Sequence, residues 1–159
     1  MSTRERWRVT TGEQAPETVE RLLRSLPEWF GIEAAIVDYV ESARRLRTYL
    51  AWPASGPAAG VLLAAQHFPE SAEIHLMAVD PAWHRRGAGR ALVRALEADL
   101  VAEGTRFLQV KTLGPSRPNE AYAKTRQFYQ ALGFLPLEEI HDLWPGNPCL
   151  VMVKTLPTG

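Results

Sequence analysis

Residues 74–104 pass from a short apolar run, Ile74–Val79, through a turn that starts VDPAWHRRGAG, into a long amphipathic pattern that Gly104 closes. Leu92, Val93, Leu96 and Leu100 recur at helical spacing, so a helix is expected from Ala88 to about Glu103. A strand feeding straight into such a helix demands a layered fold. The strand must pair in a sheet, and the apolar face of the helix must cover something. The rest of the chain supplies the partners. Strands are expected over Arg6–Thr10, Leu46–Trp52, Ala59–Ala65, Phe107–Leu113, Leu135–Ile140 and Leu150–Leu156. Helices are expected over Pro16–Leu26, Ile32–Arg45 and Asn119–Leu132, with breaks at Pro27–Gly31 and Gly133. Pro53–Pro57 and His67–Ala72 read as turns. The order predicts an α/β fold in the α+β layered sense. A mixed, mostly antiparallel sheet of six to seven strands would be flanked by about four helices, in one domain over 1–159.

Composition narrows the function. Eighteen basic and eighteen acidic residues cancel, which argues against an electrostatic nucleic-acid partner. No apolar run approaches the ~20 residues of a membrane helix, and MSTRERWRVTT has no apolar leader core. The single cysteine, Cys149, rules out an internal disulfide framework and fits a cytoplasmic location. It reads as a small buried residue rather than a nucleophile. No metal centre is expected.

The chemistry concentrates where the long helix begins. Gly87 and Gly89 remove side chains, so a ligand can approach the backbone. The unpaired N–H groups and the positive dipole end of a helix N-terminus favour an anion, best a phosphate or diphosphate. Arg85, Arg86 and Arg90 crowd the same turn. The turn is not a dinucleotide fingerprint, because Leu92 holds the position of the third glycine, and no P-loop pattern occurs.

Taken with a second segment, Phe128–Phe134 (FYQALGF), the stretch Ile74–Leu92 resembles the GNAT family of N-acetyltransferases. The family's [QR]-x-x-G-x-[GA] loop lies on His84–Gly89, with His84 in place of Gln or Arg. The resemblance implies acetyl-CoA as cofactor, held by His84, Arg85, Arg86, Gly87, Ala88, Gly89 and Arg90. It implies that the main chain of Met77, Ala78 and Val79 pairs with the pantetheine arm, one N–H polarising the acetyl carbonyl. It makes Tyr129 the donor to the departing thiolate. A tyrosine near pKa 10 facing a thiol near 8.5 transfers its proton uphill by about 2 kcal/mol, so hydrogen-bond donation is the expected role. Tyr122 and Arg126 share a helix face with Tyr129 and are expected to flank the cofactor. Tyr122 and Thr125 stand where many relatives carry Asn and Ala.

The amine acceptor must lose a proton before attack. Glu33, Glu73, His67 and His75 are the candidate bases. Trp29 and Phe30, in the Pro27–Gly31 turn, read either as an acceptor-side lid or as a plug of the core. Trp144, in a loop over Leu143–Pro148, stands in the same position, and His67 is also a candidate acceptor contact. The implied activity is direct acetyl transfer to a primary amine of a small molecule or peptide, with no nucleic-acid or membrane partner and a homodimer left open. The alternative is a catalytically weak CoA-binding sensor or interaction module of the same fold.

Overall fold

The apolar runs become the strands of one mixed sheet. The computed structural model describes residues 6–158. In chain order the elements are β1 (Arg8–Thr11), α1 (Pro16–Arg24), α2 (Glu33–Ala43), β2 (Arg47–Trp52), β3 (Gly60–Phe68), β4 (Ser71–Val79), α3 (Ala88–Ala102), β5 (Phe107–Leu113), α4 (Glu120–Ala131), β6 (Leu135–Trp144) and β7 (Asn147–Thr155). The strand order is β1-β2-β3-β4-β5-β7-β6. The pairs β1/β2, β2/β3, β5/β7 and β6/β7 are antiparallel. β4 and β5 are parallel, with Ser71 opposite Phe107 and Ile74 opposite Val110. A parallel pair needs a crossover, and α3 is that crossover. Seven strands and four α-helices agree with the expected layered architecture.

β1 starts at Arg8 rather than Arg6, and two expected loops shorten. The turn over His67–Ala72 shrinks to Pro69–Glu70, and the strands on either side absorb the remainder. The backbone N–H groups of Arg106 and Phe107 bond to Glu70 O at 2.7 and 2.9 Å, so the turn is tied to the start of β5. The expected loop over Leu143–Pro148 is a tight hairpin: β6 runs through Trp144, β7 resumes at Asn147, and Gly146 turns the chain at φ 73°. β6 is an edge strand with mostly exposed residues. Its polar stretch EEIHD therefore needs no buried face, and apolar alternation fails to mark its length.

The chain divides into two compact units. One holds the described residues up to Ala65 together with His75–Asp99; the other holds Gln66–Ile74 and everything from Leu100. In the first, Val19, Leu22 and Leu23 of α1 and Ile36 of α2 pack with Leu50, Val61, Leu63, Leu76 and Ala78 of the strands. Pro16 stands in the first turn of α1, where its missing N–H costs no helical bond. In the second, Leu108, Val110, Phe134, Cys149 and Met152 are buried. No helix of the described residues is long and apolar enough to cross a membrane.

Candidate active site

In the first unit, β4 ends at Val79 and the chain makes a short 3-10 turn, Pro81–Trp83, capped by Asp80, whose carboxylate accepts from Ala82 N at 2.9 Å. Arg85 and Gly87 then adopt left-handed backbone, φ 64° and 92°. Gly87 does so without strain, whereas a side chain at Arg85 makes that conformation costly. The Ala91 N–H bonds to Gly87 O at 3.0 Å. The N–H groups of Ala88, Gly89 and Arg90 precede that bond and point out of the helix end. Arg85, Arg86 and Arg90 are exposed around them.

Aromatic residues hold this loop. The Trp7 indole donates to Arg86 O at 2.8 Å and meets Trp83 edge-on at 5.4 Å. The Arg86 guanidinium lies over the Trp83 ring at 5.1 Å. His84 turns back, its Nε2 2.7 Å from Val79 O; the carbonyl can only accept, so Nε2 donates. The His84 ring also meets Trp29 edge-on at 5.9 Å. His84 thus clasps the loop to the end of β4. Met77 and Val79 are half-buried and Ala78 is buried.

The residues beside the break between α1 and α2 form an aromatic chain. Phe30 meets Tyr39 at 5.7 Å, and Tyr39 meets His75 at 5.5 Å. Trp29 and Phe30 are half-buried and pack on the apolar core of this unit. Glu33 is gripped by Arg24 through two bonds of 2.8 and 2.9 Å. That hydrogen bonding holds its carboxyl below the usual range and makes it a poorer proton acceptor.

In the second unit, Asn119 caps α4 by accepting from Tyr122 N at 3.1 Å. Gly133 ends the helix at φ 98°, and Phe134 N returns to Tyr129 O at 3.0 Å. The L-G-F end of FYQALGF is thus a left-handed helix stop. Tyr129 is buried, edge-on to Phe128 and Phe134 at 5.2 and 5.4 Å. Arg126 donates to Leu113 O at 2.7 Å, so its guanidinium braces the end of β5. Tyr122 is half-buried. The β5–α4 loop is pinned to the β6–β7 hairpin. Ser116 donates to Glu139 through its backbone N and its hydroxyl at 3.1 and 2.5 Å, and Arg117 donates to Asn147 Oδ1 at 2.6 Å. Ser116 holds the Glu139 carboxyl below its usual range. Trp144 sits opposite Asn147 in the hairpin.

These local geometries have a family counterpart. The model of the acetyltransferase (GNAT) family matches residues 12–134. The chain belongs to the GNAT family. No curated protein matches it. Among solved structures it resembles the ribosomal-protein-S18-alanine N-acetyltransferase from Escherichia coli, with TM-score 0.73, 17% identity, and coverage of 97% of this chain and 96% of that chain. It resembles a Bacillus subtilis acetyltransferase in complex with CoA, with TM-score 0.72, 20% identity, and 96% and 100% covered. It also resembles a GNAT acetyltransferase from Elizabethkingia anophelis with acetyl-CoA bound, with TM-score 0.69, 16% identity, and 94% and 98% covered. At these identities the likeness is one of fold.

One feature of this GNAT chain escapes sequence reading. The buried Glu73 carboxylate receives Lys111 Nζ at 3.1 Å on Oε1 and 3.0 Å on Oε2, and His67 Nε2 lies 2.6 Å from Oε1. The pairing of Lys111 with Glu73 depends on the parallel register that sets Glu73 against Gln109, which no local pattern along the chain reveals. The available signal was a lysine inside an apolar strand, which needs a partner when part-buried. Cys149 is buried beside this pair, and burial pushes its thiol up. On the neighbouring residue of β5, the Thr112 hydroxyl is buried with no hydrogen-bond partner.

Proposed function

We propose that this chain is an acetyl-CoA-dependent N-acetyltransferase that moves an acetyl group directly to a primary amine of a small molecule or peptide. The observation that carries the reading is the loop between β4 and α3. Its left-handed Arg85 and Gly87 deliver three outward N–H groups and three exposed arginines to one helix end. That donor set fits a diphosphate: the main chain supplies short directional bonds and the arginines supply charge. A hydrogen bond to a charged group contributes about 1.5–3 kcal/mol, more than the ~0.3–1 kcal/mol of an exposed helix dipole.

When bound, acetyl-CoA supplies the acetyl group as a thioester. Ala88, Gly89 and Arg90 would hold its diphosphate through main-chain N–H groups, with Arg85 and Arg86 adding charge. Met77, Ala78 and Val79 would hold the pantetheine arm by main chain. One N–H there would face the acetyl oxygen, and losing such a donor costs about 2.7–4 kcal/mol in other enzymes. Val79 O is engaged by His84, so the arm must rely on the remaining main-chain groups of this strand. Tyr129 would hold a proton against the departing sulfur. Trp29 and Phe30 would border the acceptor, and the lone buried Cys149 fits a cytoplasmic location.

The test is calorimetric titration with acetyl-CoA, CoA and NAD, followed by thiol release across a panel of primary amines. Binding of both CoA forms but not NAD, with thiol release on at least one amine, is expected. Equal binding of NAD, or no thiol release from protein that binds acetyl-CoA, would contradict the reading.

A further inference from the structure

We propose that Trp7 is a positioning residue of the loop between β4 and α3 and sets the affinity for the CoA diphosphate; this rests on the acetyltransferase reading above. Two features loosen that loop. Arg85 stands in left-handed backbone at φ 64°, which a residue with a side chain adopts only at a cost. Gly87 stands at φ 92°, and glycine reaches either sign of φ with similar ease. The peptide plane between Arg86 and Gly87 can therefore turn over unless a group outside the loop holds it.

The Trp7 indole is that group. Its N–H donates to Arg86 O at 2.8 Å across 79 positions of sequence. The Gly87 backbone lies against the same ring: a Cβ added at Gly87 would stand 3.7 Å from Trp7 Nε1 and 3.9 Å from Cδ1. A trans peptide points its carbonyl and its N–H in opposite directions, and no cis bond occurs among the described residues. With Arg86 O turned to the indole, the Gly87 N–H faces away from it. A flipped plane would reverse the two and put a carbonyl where the loop now offers a donor. A carbonyl can only accept, so the flipped loop repels an anion that the pinned loop attracts.

The ring is itself anchored. Trp7 leads directly into β1, where Arg8 pairs with Trp52 and Thr11 with Tyr49. The Trp52 indole donates to Thr10 Oγ1 at 2.8 Å, and the Arg8 guanidinium lies over the Trp52 ring at 5.3 Å. On its other side Trp7 meets Trp83 edge-on at 5.4 Å, and Trp83 carries the Arg86 guanidinium at 5.1 Å. One pair of rings thus holds both the main chain and the side chain of Arg86. All of these residues belong to the first unit.

Trp7 acts before the ligand arrives, by raising the fraction of molecules whose loop is ready to bind. The apparent dissociation constant is the intrinsic one divided by that fraction. Loss of one neutral hydrogen bond shifts such an equilibrium about 3- to 10-fold.

The experiment is calorimetric titration of acetyl-CoA and of CoA into full-length wild type, Trp7→Phe and Trp7→Ala, with urea unfolding of the same proteins. Trp7→Phe keeps a ring against Trp83 and removes the donor. It should bind both ligands about 3- to 10-fold more weakly, and by the same factor, because both carry the diphosphate. Trp7→Ala, which also removes the ring, should lose more. In thiol release the loss should fall on KM for acetyl-CoA rather than on kcat. A role in packing alone would lower the urea midpoint and leave the dissociation constants of the folded proteins unchanged. Wild-type binding with unchanged constants in Trp7→Phe would overturn the role of Trp7, as would a loss confined to acetyl-CoA. Wild-type protein that binds neither ligand would instead sink the acetyltransferase reading, and the role of Trp7 with it.

Discussion

The loop at the head of α3 and the Glu73 cluster of the second unit are built on opposite principles. The loop presents main-chain N–H groups and exposed arginines, held from behind by Trp7, Trp83 and His84. The cluster buries a carboxylate and satisfies it with side-chain donors from two other strands. The first uses local backbone shape to create a charge-binding surface. The second uses long-range strand register to tame a charge already inside. Local devices of the first kind leave a sequence signature, and distant pairings of the second kind leave almost none.

Stability measurements separate the two designs. The largest effect is expected for Glu73→Ala, which leaves the part-buried Lys111 without its carboxylate. Losing one partner of a buried pair costs about 3–5 kcal/mol. Because Lys111 is 29% exposed, about 2–3 kcal/mol is expected, read as a lower midpoint in urea unfolding. A loss under 0.5 kcal/mol would show that the cluster is a solvated surface pair. Thr112→Val should act in the opposite direction. The orphaned hydroxyl is only 4% exposed, and an isosteric methyl removes its desolvation cost, for a gain of about 1 kcal/mol. A loss of stability would mean the hydroxyl has a partner. Arg85→Gly should give the smallest shift. Relief of left-handed strain of about 1–2 kcal/mol is offset by the greater freedom of glycine in the unfolded chain. A net gain of about 0.5–1 kcal/mol is expected, alongside weaker acetyl-CoA binding from the lost charge. Unchanged binding would restrict the loop's contribution to its main chain.

The legible and illegible parts of the fold divide along the same line. The α3 helix and β5 were readable because each carries its own pattern: Leu92, Val93, Leu96 and Leu100 on one face, and an apolar Phe107–Leu113 run between turns. The end of α4 was readable because Gly133 marks the helix stop. Ser71 and Ala72 read as turn because they follow Pro69 and Glu70 and Ser71 is polar, whereas β4 starts at Ser71; Glu73 finds its donors only through β3 and β5. Both strands of the β6–β7 hairpin were readable, but their length was not, because an edge strand has no need of apolar alternation. Position along the motif says nothing of the bonds these side chains make: His84 turns to Val79 O and Arg126 to Leu113 O. A motif fixes where a side chain starts, and its partner is chosen by whichever carbonyl the fold brings within reach.

Backbone shape at the head of α3 makes the anion site. Calorimetric titration of acetyl-CoA into the wild type and into Gly89→Val tests it most directly, with circular dichroism confirming that both are folded. A branched side chain at the second residue of α3 would fill the space the diphosphate needs. Binding to the wild type is expected, with a loss of at least about 100-fold in the variant, equivalent to roughly 2.7 kcal/mol. A folded Gly89→Val protein that binds as tightly as the wild type would contradict it.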